Sequence, residues 1–301
     1  MKKSFVNSAR KLKYNRLFVQ WFSWLLKFLR VLNSYIYNKK RKREEIFFSR
    51  ISSCIVSDVL VKPPNIDGEF YISPKSHLLR AILSIGAYEP EVVNLFGKYL
   101  LPDKDFVDIG ANIGFYTIHS AKRMTKGRVV ALEPVKSAYE RLIKNIERNN
   151  VEQVASVVRC FVSNKNGLLA IRTILGMEEY SSASESNIKF HDQDQSFVTE
   201  TVSCLTLDEI VCEHQLNPGL IKIDVEGAEY KVLLGAKKCL KEFSPTLIVE
   251  CSDKLLKGMG SSSSEIIAYL ADFGYRPLDP HTQSDVSLWT GIEDNLLFIK
   301  I

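Results

Sequence analysis

The stretch Phe106–Thr117, FVDIGANIGFYT, joins an apolar run through Val107 and Ile109 to a turn holding Gly110 and Gly114, then to an apolar-periodic segment, Phe115–Ala121. That order predicts a buried parallel strand, a tight turn and a helix, with Glu133 closing the next strand, Arg128–Leu132. Strand, glycine turn and helix in this order form a nucleotide-type cofactor site on an open α/β sheet. The acids narrow the choice of cofactor. A dinucleotide site needs G-x-G-x-x-G so that backbone amides approach a pyrophosphate. Here the pattern is D-x-G-x-x-x-G, and Asp108 at the strand tip would repel that anion. S-adenosylmethionine carries a sulfonium and an ammonium, which an acidic mouth suits. Glu133, nineteen residues past Gly114, is placed to accept hydrogen bonds from two ribose hydroxyls.

Downstream, the pattern continues as a doubly wound sheet. Glu133-Pro134 opens a helix running to about Asn150, and Val154–Val162 reads as the third strand. Residues 163–203 are an irregular insertion, with strand-like runs at Leu168–Leu175 and Phe197–Cys204 around a serine-rich patch. Such a segment over a site is where substrate choice is made. Thr206–Val211 reads as a short helix, Leu220–Ile223 as the fourth strand and Glu226–Leu240 as a helix. Pro245–Val249 is the fifth strand, Ser264–Phe273 a helix, and Tyr275–Leu278 with Asn295–Ile301 a terminal antiparallel pair.

LIKIDVEGAEY, residues 220–230, sets Asp224 at the carboxyl end of a strand, where open α/β sheets bind ligands. Glu226 starts the next helix and favours its positive end. Lys222 is a charge inside a buried strand and needs a carboxylate partner. Glu250, at the end of strand five, brings a third acid to the rim with Asp108 and Asp224. For proton transfer the candidates are Asp224 or Glu250 as base, with Lys222 tuning either. Oxygen ligands around Asp224 would also accept a divalent cation, but no metal site is expected.

Composition bounds the rest. The 301 residues are 46% hydrophobic, enough for a large core, and six scattered cysteines without C-x-x-C point to a reducing, cytoplasmic setting rather than a disulfide scaffold. The net charge of +5 is uneven: residues 1–50 hold fourteen Lys and Arg against Glu44 and Glu45, and the other residues hold 26 bases against 33 acids. An acidic body is a poor nucleic-acid surface, so no nucleic-acid partner is expected. In the arm, Lys13, Arg16, Gln20, Ser23, Lys27, Arg30 and Ser34 form one narrow polar stripe of a helix whose wide face carries Trp21, Trp24 and Phe28. Lys27 and Arg30 interrupt any spanning segment. The arm, residues 10–43 with KKRKR at 39–43, reads as a helix lying on an anionic membrane surface, on the inner, cytoplasmic face. The alternative is a helix packed on the protein's own body or on a partner.

FVDIGANIGFYT, Glu133-Pro134, SCLTLDEI (203–210), IKIDVEGAEYKVLLGA (221–236) and PTLIVEC (245–251) together resemble the FkbM-type S-adenosylmethionine-dependent methyltransferases. The resemblance covers about two-thirds of the chain, residues 87–301, after a basic arm (1–50) and a connecting segment (51–86). It implies a class I methyltransferase, Rossmann-like α/β fold: a doubly wound, mostly parallel sheet with a terminal antiparallel strand, here preceded by a helical extension. It implies methyl transfer, generally to oxygen, on a sugar, a glycoconjugate such as a glycolipid, or a secondary metabolite. By the resemblance Asp108, Gly110, Asn112 and Gly114 line the methionine end of the cofactor and Glu133 holds the ribose. Asp224 and Glu226 fall at the rim, with Glu226 counted among the cofactor contacts. Two rivals remain at this stage: a nicotinamide-dependent oxidoreductase, and a membrane-tethered, non-catalytic cofactor-binding module.

Overall fold

The computed structural model describes residues 57–174, 197–286 and 292–301, with positions 48, 54 and 55 in isolation. The arm expected to lie on a membrane surface and the serine-rich centre of the insertion lie outside the described residues. No described helix is long and apolar enough to cross a membrane.

In chain order the elements are β1 (Val59–Val61), β2 (Phe70–Ile72), α1 (His77–Ile85), α2 (Pro90–Tyr99), β3 (Asp105–Ile109), α3 (Phe115–Ala121), β4 (Val129–Leu132) and α4 (Lys136–Arg148). There follow β5 (Ala155–Val158), β6 (Phe161–Val162), β7 (Gly167–Ile174), β8 (Phe197–Leu205), α5 (Leu207–Glu213), β9 (Pro218–Ile223), α6 (Glu229–Leu234) and α7 (Lys237–Glu242). The last are β10 (Thr246–Ser252), α8 (Asp253–Gly258), α9 (Ser263–Ala271), β11 (Tyr275–Leu278) and β12 (Glu293–Lys300).

Seven strands form one sheet in the order β11-β12-β10-β9-β3-β4-β5. The five from β10 to β5 run parallel, and β12 lies antiparallel between β10 and β11. This is the doubly wound class I methyltransferase fold. Every residue of β3, β4 and β9 is buried, as expected of strands covered on both faces and written as continuous apolar runs. The chain builds outward from β3 to β5, then crosses to β9 on the other side, so the order reverses beside β3. Ligands bind at that switch, outside the carboxyl ends of the strands.

Two expected elements divide. The run 154–162 leaves the main sheet after Val158, and Phe161–Val162 pairs in parallel with β8 in a separate three-stranded sheet, β6-β8-β7. The helix expected over 226–240 starts only at Glu229, because Glu226 (φ 55°) and Gly227 (φ 100°) are left-handed. It breaks again at Gly235, where the Ser163 carbonyl oxygen stands 2.1 Å from the position a Cβ would take. The core-facing residues Ala228, Val232, Leu233, Ala236 and Leu240 are nonetheless all buried.

Residues 57–86, read as a connecting segment, carry a hairpin and a helix joined to the body by two asparagines one turn apart on α4. Asn145 accepts from the Tyr71 amide (2.7 Å) and donates to the Ile113 carbonyl (2.9 Å). Asn149 accepts from the Glu69 amide (3.0 Å) and donates to its carbonyl (2.7 Å). Cys160, Cys204, Cys239 and Cys251 are buried and unbridged, small members of the core.

Candidate active site

Three strand ends meet at the switch. The Ile109 carbonyl accepts from the Asp224 amide (3.0 Å), and the Leu132 carbonyl accepts from the amides of Gly110 (2.9 Å) and Ala111 (3.1 Å). The turn between β3 and α3 is left-handed at Gly110 (φ 82°), Asn112 (φ 50°) and Gly114 (φ 92°). The two glycines serve different ends. A Cβ on Gly110 would stand 1.8 Å from the Asp224 carbonyl oxygen, and one on Gly114 would stand 2.3 Å from Leu142 Cδ1 on α4. Gly110 thus lets two strand ends approach, whereas Gly114 lets the helix pack.

A cleft opens over these ends, lined by Gly110, Asn112, Glu133, Lys222, Asp224 and Glu226 among the residues singled out from sequence. Leu132, Val135, Phe161 and Val162 give it an apolar side, and Tyr88 and Tyr116 an aromatic one. Asp108, Gly114 and Glu250 are not among the lining residues. Asp108 is fully buried, accepting from the Thr117 hydroxyl (2.6 Å), and its Oδ1 has no hydrogen-bond partner among the described residues. Burial pushes its carboxyl up, against the pull of Lys222. Glu250 pairs in register with Asn295. Burial, then the nearby carboxylates of Asp224, Glu226 and Glu229, push its carboxyl well above the usual range.

Glu133 accepts from the Asn112 amide (2.7 Å) and the Val135 amide (2.9 Å), so its carboxylate is fixed by the turn on one side and the start of α4 on the other. Lys222 is 2% exposed, and its ammonium donates to Asp224 (2.6 Å) and lies 4.8 Å from the centre of the Tyr116 ring. Burial alone would strip its proton; Asp224, Glu89 and Asp108 overcome that and hold it charged.

The turn tests the two cofactor classes. The amides of Gly110, Ala111, Asn112 and Gly114 all donate within the protein, so none of these four is turned toward a pyrophosphate. What the cleft offers instead is carboxylates and an apolar slot. Those features fit an adenosine carrying a cationic tail. Among the described residues no three His, Cys, Asp or Glu side chains are arranged to hold a metal ion.

Residues outside the motifs complete the site. Tyr88 and Glu89 arrive on the turn between α1 and α2; the Glu89 carboxylate accepts from the Tyr116 hydroxyl. Phe161 and Val162 enter through the break after β5. The sequence signal for Glu89 was only Pro90, which marks a helix start. Glu229, fully buried, accepts from the amides of Val225 (3.0 Å) and Gly227 (3.1 Å) and so braces the loop that carries Asp224 and Glu226.

Burial raises the Glu229 carboxyl from 4.5 to about 7. A folded-state value above the unfolded one gives stability that is complete below pH 4.5 and lost as pH rises through about 7. At 1.36 kcal/mol per unit the loss is up to about 3 kcal/mol. Urea unfolding at pH 5 and pH 8 should show Glu229→Gln losing less stability across that interval than the wild type. Equal losses in both proteins would mean that Glu229 does not titrate there.

The sequence pattern described as the methyltransferase FkbM domain matches residues 108–277. Methyltransferase sdnD of Sordaria araneosa is 26% identical over 174 residues, covering 50% of this chain and 67% of that protein. The hexuronic acid methyltransferase AglP of Haloferax volcanii is 25% identical over 161 residues, covering 53% of this chain and 61% of that protein. A solved FkbM methyltransferase from Methylobacillus flagellatus KT is similar at 17% identity and a TM-score of 0.44, over 73% of this chain and 53% of that one. The chain therefore spans about two thirds of the length of these curated relatives. The family match runs from the tip of β3 through β11, taking in all three strand ends that frame the cleft, and the chain belongs to the FkbM methyltransferase family.

Proposed function

We propose that this methyltransferase moves a methyl group from S-adenosylmethionine, the donor its family implies, to a hydroxyl on a sugar, a glycoconjugate or a secondary metabolite. The observation that carries the reading is the meeting of Gly110, Glu133 and Asp224 at the switch point, with an apolar slot beside Glu133. A carbohydrate acceptor is favoured by similarity to a hexuronic acid methyltransferase.

When bound, the cofactor supplies a methyl group made electrophilic by a sulfonium. The protein's part is to orient the acceptor hydroxyl and to take its proton. Asp224 is the base in this reading. It is half-buried at the rim, and its ion pair with Lys222 keeps it oriented. Lys222 steadies the negative charge that develops as the hydroxyl loses its proton. Gly110 lets the ends of β3 and β9 meet beneath the methionine end, and Glu133 takes the ribose hydroxyls.

Isothermal calorimetry tests the cofactor, with S-adenosylmethionine expected to bind and NAD not. Transfer of labelled methyl to polysaccharide and lipid extracts tests the acceptor. Binding without transfer to any extract would favour the non-catalytic module. Glu133→Ala should lose roughly 1.5–3 kcal/mol of cofactor affinity, the range for hydrogen bonds to a charged group. The protein should stay folded by circular dichroism; unchanged affinity in that folded variant would remove the ribose assignment.

A further inference from the structure

Glu89 lies ahead of the matched domain, yet it belongs to the charge group beneath the cleft. Its backbone is left-handed (φ 37°, ψ 61°) directly before Pro90, a conformation that costs energy for a residue other than glycine and is further restricted before proline. The surrounding structure enforces it. Asn65 holds the preceding residue through both backbone groups, accepting from the Tyr88 amide (3.2 Å) and donating to its carbonyl (2.7 Å). Tyr88 packs its ring on Phe115 at 5.1 Å. Held so, Glu89 accepts from the hydroxyl of Tyr116, the ring that faces the Lys222 ammonium and stacks on Phe96 at 5.0 Å. Strain concentrated at one carboxylate beside a ligand cleft is a reason to ask what that carboxylate does.

Among the described residues, Lys222 is the one basic side chain lining the cleft, and Asp224 already takes its ammonium at 2.6 Å. Glu89 and Asp108 add negative charge close enough to help hold Lys222 protonated, while burial pushes both carboxyls up. The group therefore sets three carboxyls, those of Asp224, Glu89 and Asp108, around one ammonium in a poorly solvated place. A cation in the cleft would favour their ionised forms.

We propose that Glu89 is a positioning residue for the donor: acting through Lys222 and Tyr116, its charge makes the cleft prefer the sulfonium cofactor to the neutral thioether left after transfer. The inference rests on the cofactor reading above. It gives product release a direction, since the ligand loses its sulfonium charge on reaction.

The test compares the affinities of S-adenosylmethionine and S-adenosylhomocysteine, which differ at sulfur by one methyl and one charge, by calorimetry at pH 8. Glu89→Gln should weaken S-adenosylmethionine about tenfold and S-adenosylhomocysteine less than about twofold, the scale of one charge removed several ångströms away. Glu89→Asp keeps the charge and should keep the wild-type ratio. Should Glu89→Gln fail to fold, Glu89→Gly removes the same charge and suits the left-handed backbone, and the same loss of preference is expected. Parallel weakening of both compounds, or an unchanged ratio, overturns the proposal while leaving the cofactor reading intact. Wild-type protein that binds neither compound would remove the cofactor reading, and this inference with it.

Discussion

Gly110→Ala should abolish cofactor binding and destabilise the domain by about 3 kcal/mol or more. Two penalties add at this position. The φ of 82° is unfavourable for an L side chain, and the new methyl would meet the Asp224 carbonyl oxygen at 1.8 Å. That oxygen is backbone, so no rotamer change can relieve the clash. The tips of β3 and β9 must part, stretching the bond from the Asp224 amide to the Ile109 carbonyl. Gly97→Ala is the control. Gly97 lies on α2 with open space where a Cβ would go, so alanine there should stabilise by about 0.5–1 kcal/mol. Thermal unfolding and calorimetry on the two variants check both expectations. A Gly110→Ala protein with wild-type stability and affinity would mean that the strand ends are not closely opposed in solution.

Asp224→Asn should cut methyl transfer by about 10²–10⁴, the loss typical of a missing general base. Cofactor affinity should change far less. The amide preserves size and can still accept from Lys222, but it cannot take a proton at neutral pH. Lys222 also keeps the carboxyls of Glu89 and Asp108 as neighbours, so the fold should tolerate the change. Glu250→Gln is the comparison, since Glu250 is not among the cleft-lining residues. If Asp224→Asn retains near wild-type turnover and Glu250→Gln does not, the base is Glu250.

Local chemistry made part of this molecule readable in advance. The strand at Phe106–Ile109 and the turn after it are written in adjacent residues, because a buried parallel strand must be apolar and a left-handed turn selects glycine. The same holds for β9 and the loop after it. Six of the nine residues singled out therefore line one cleft. What escaped depends on distant partners. The run 154–162 is uniformly strand-like, and nothing within it marks Arg159–Cys160 as the point where it leaves one sheet for another. That departure follows from the pairing of Phe161 with Cys204, far along the chain. Asn145 and Asn149 read as ordinary polar positions on an amphipathic helix, yet they hold the N-terminal hairpin in place. Nothing local in the sequence distinguishes Glu229 from Glu226, and only the folded loop separates their positions. Glu89 was invisible for the same reason: its left-handed backbone is held by Asn65 through Tyr88, against both its own preference and the restriction that Pro90 adds.

The place of β12 has a consequence for how the protein is made. Glu293–Lys300 is not an edge strand, since β10 lies on one side and β11 on the other. The ribosome delivers β10 and β11 first, and neither can pair with the other while the gap between them is empty. Until Glu293–Lys300 emerges, β10 presents a row of unsatisfied amides and carbonyls along Leu247–Ser252. Edges of this kind recruit strands from other chains. The nascent chain is thus exposed to aggregation between the emergence of β10 and that of β12, and truncation before residue 293 would leave an open sheet.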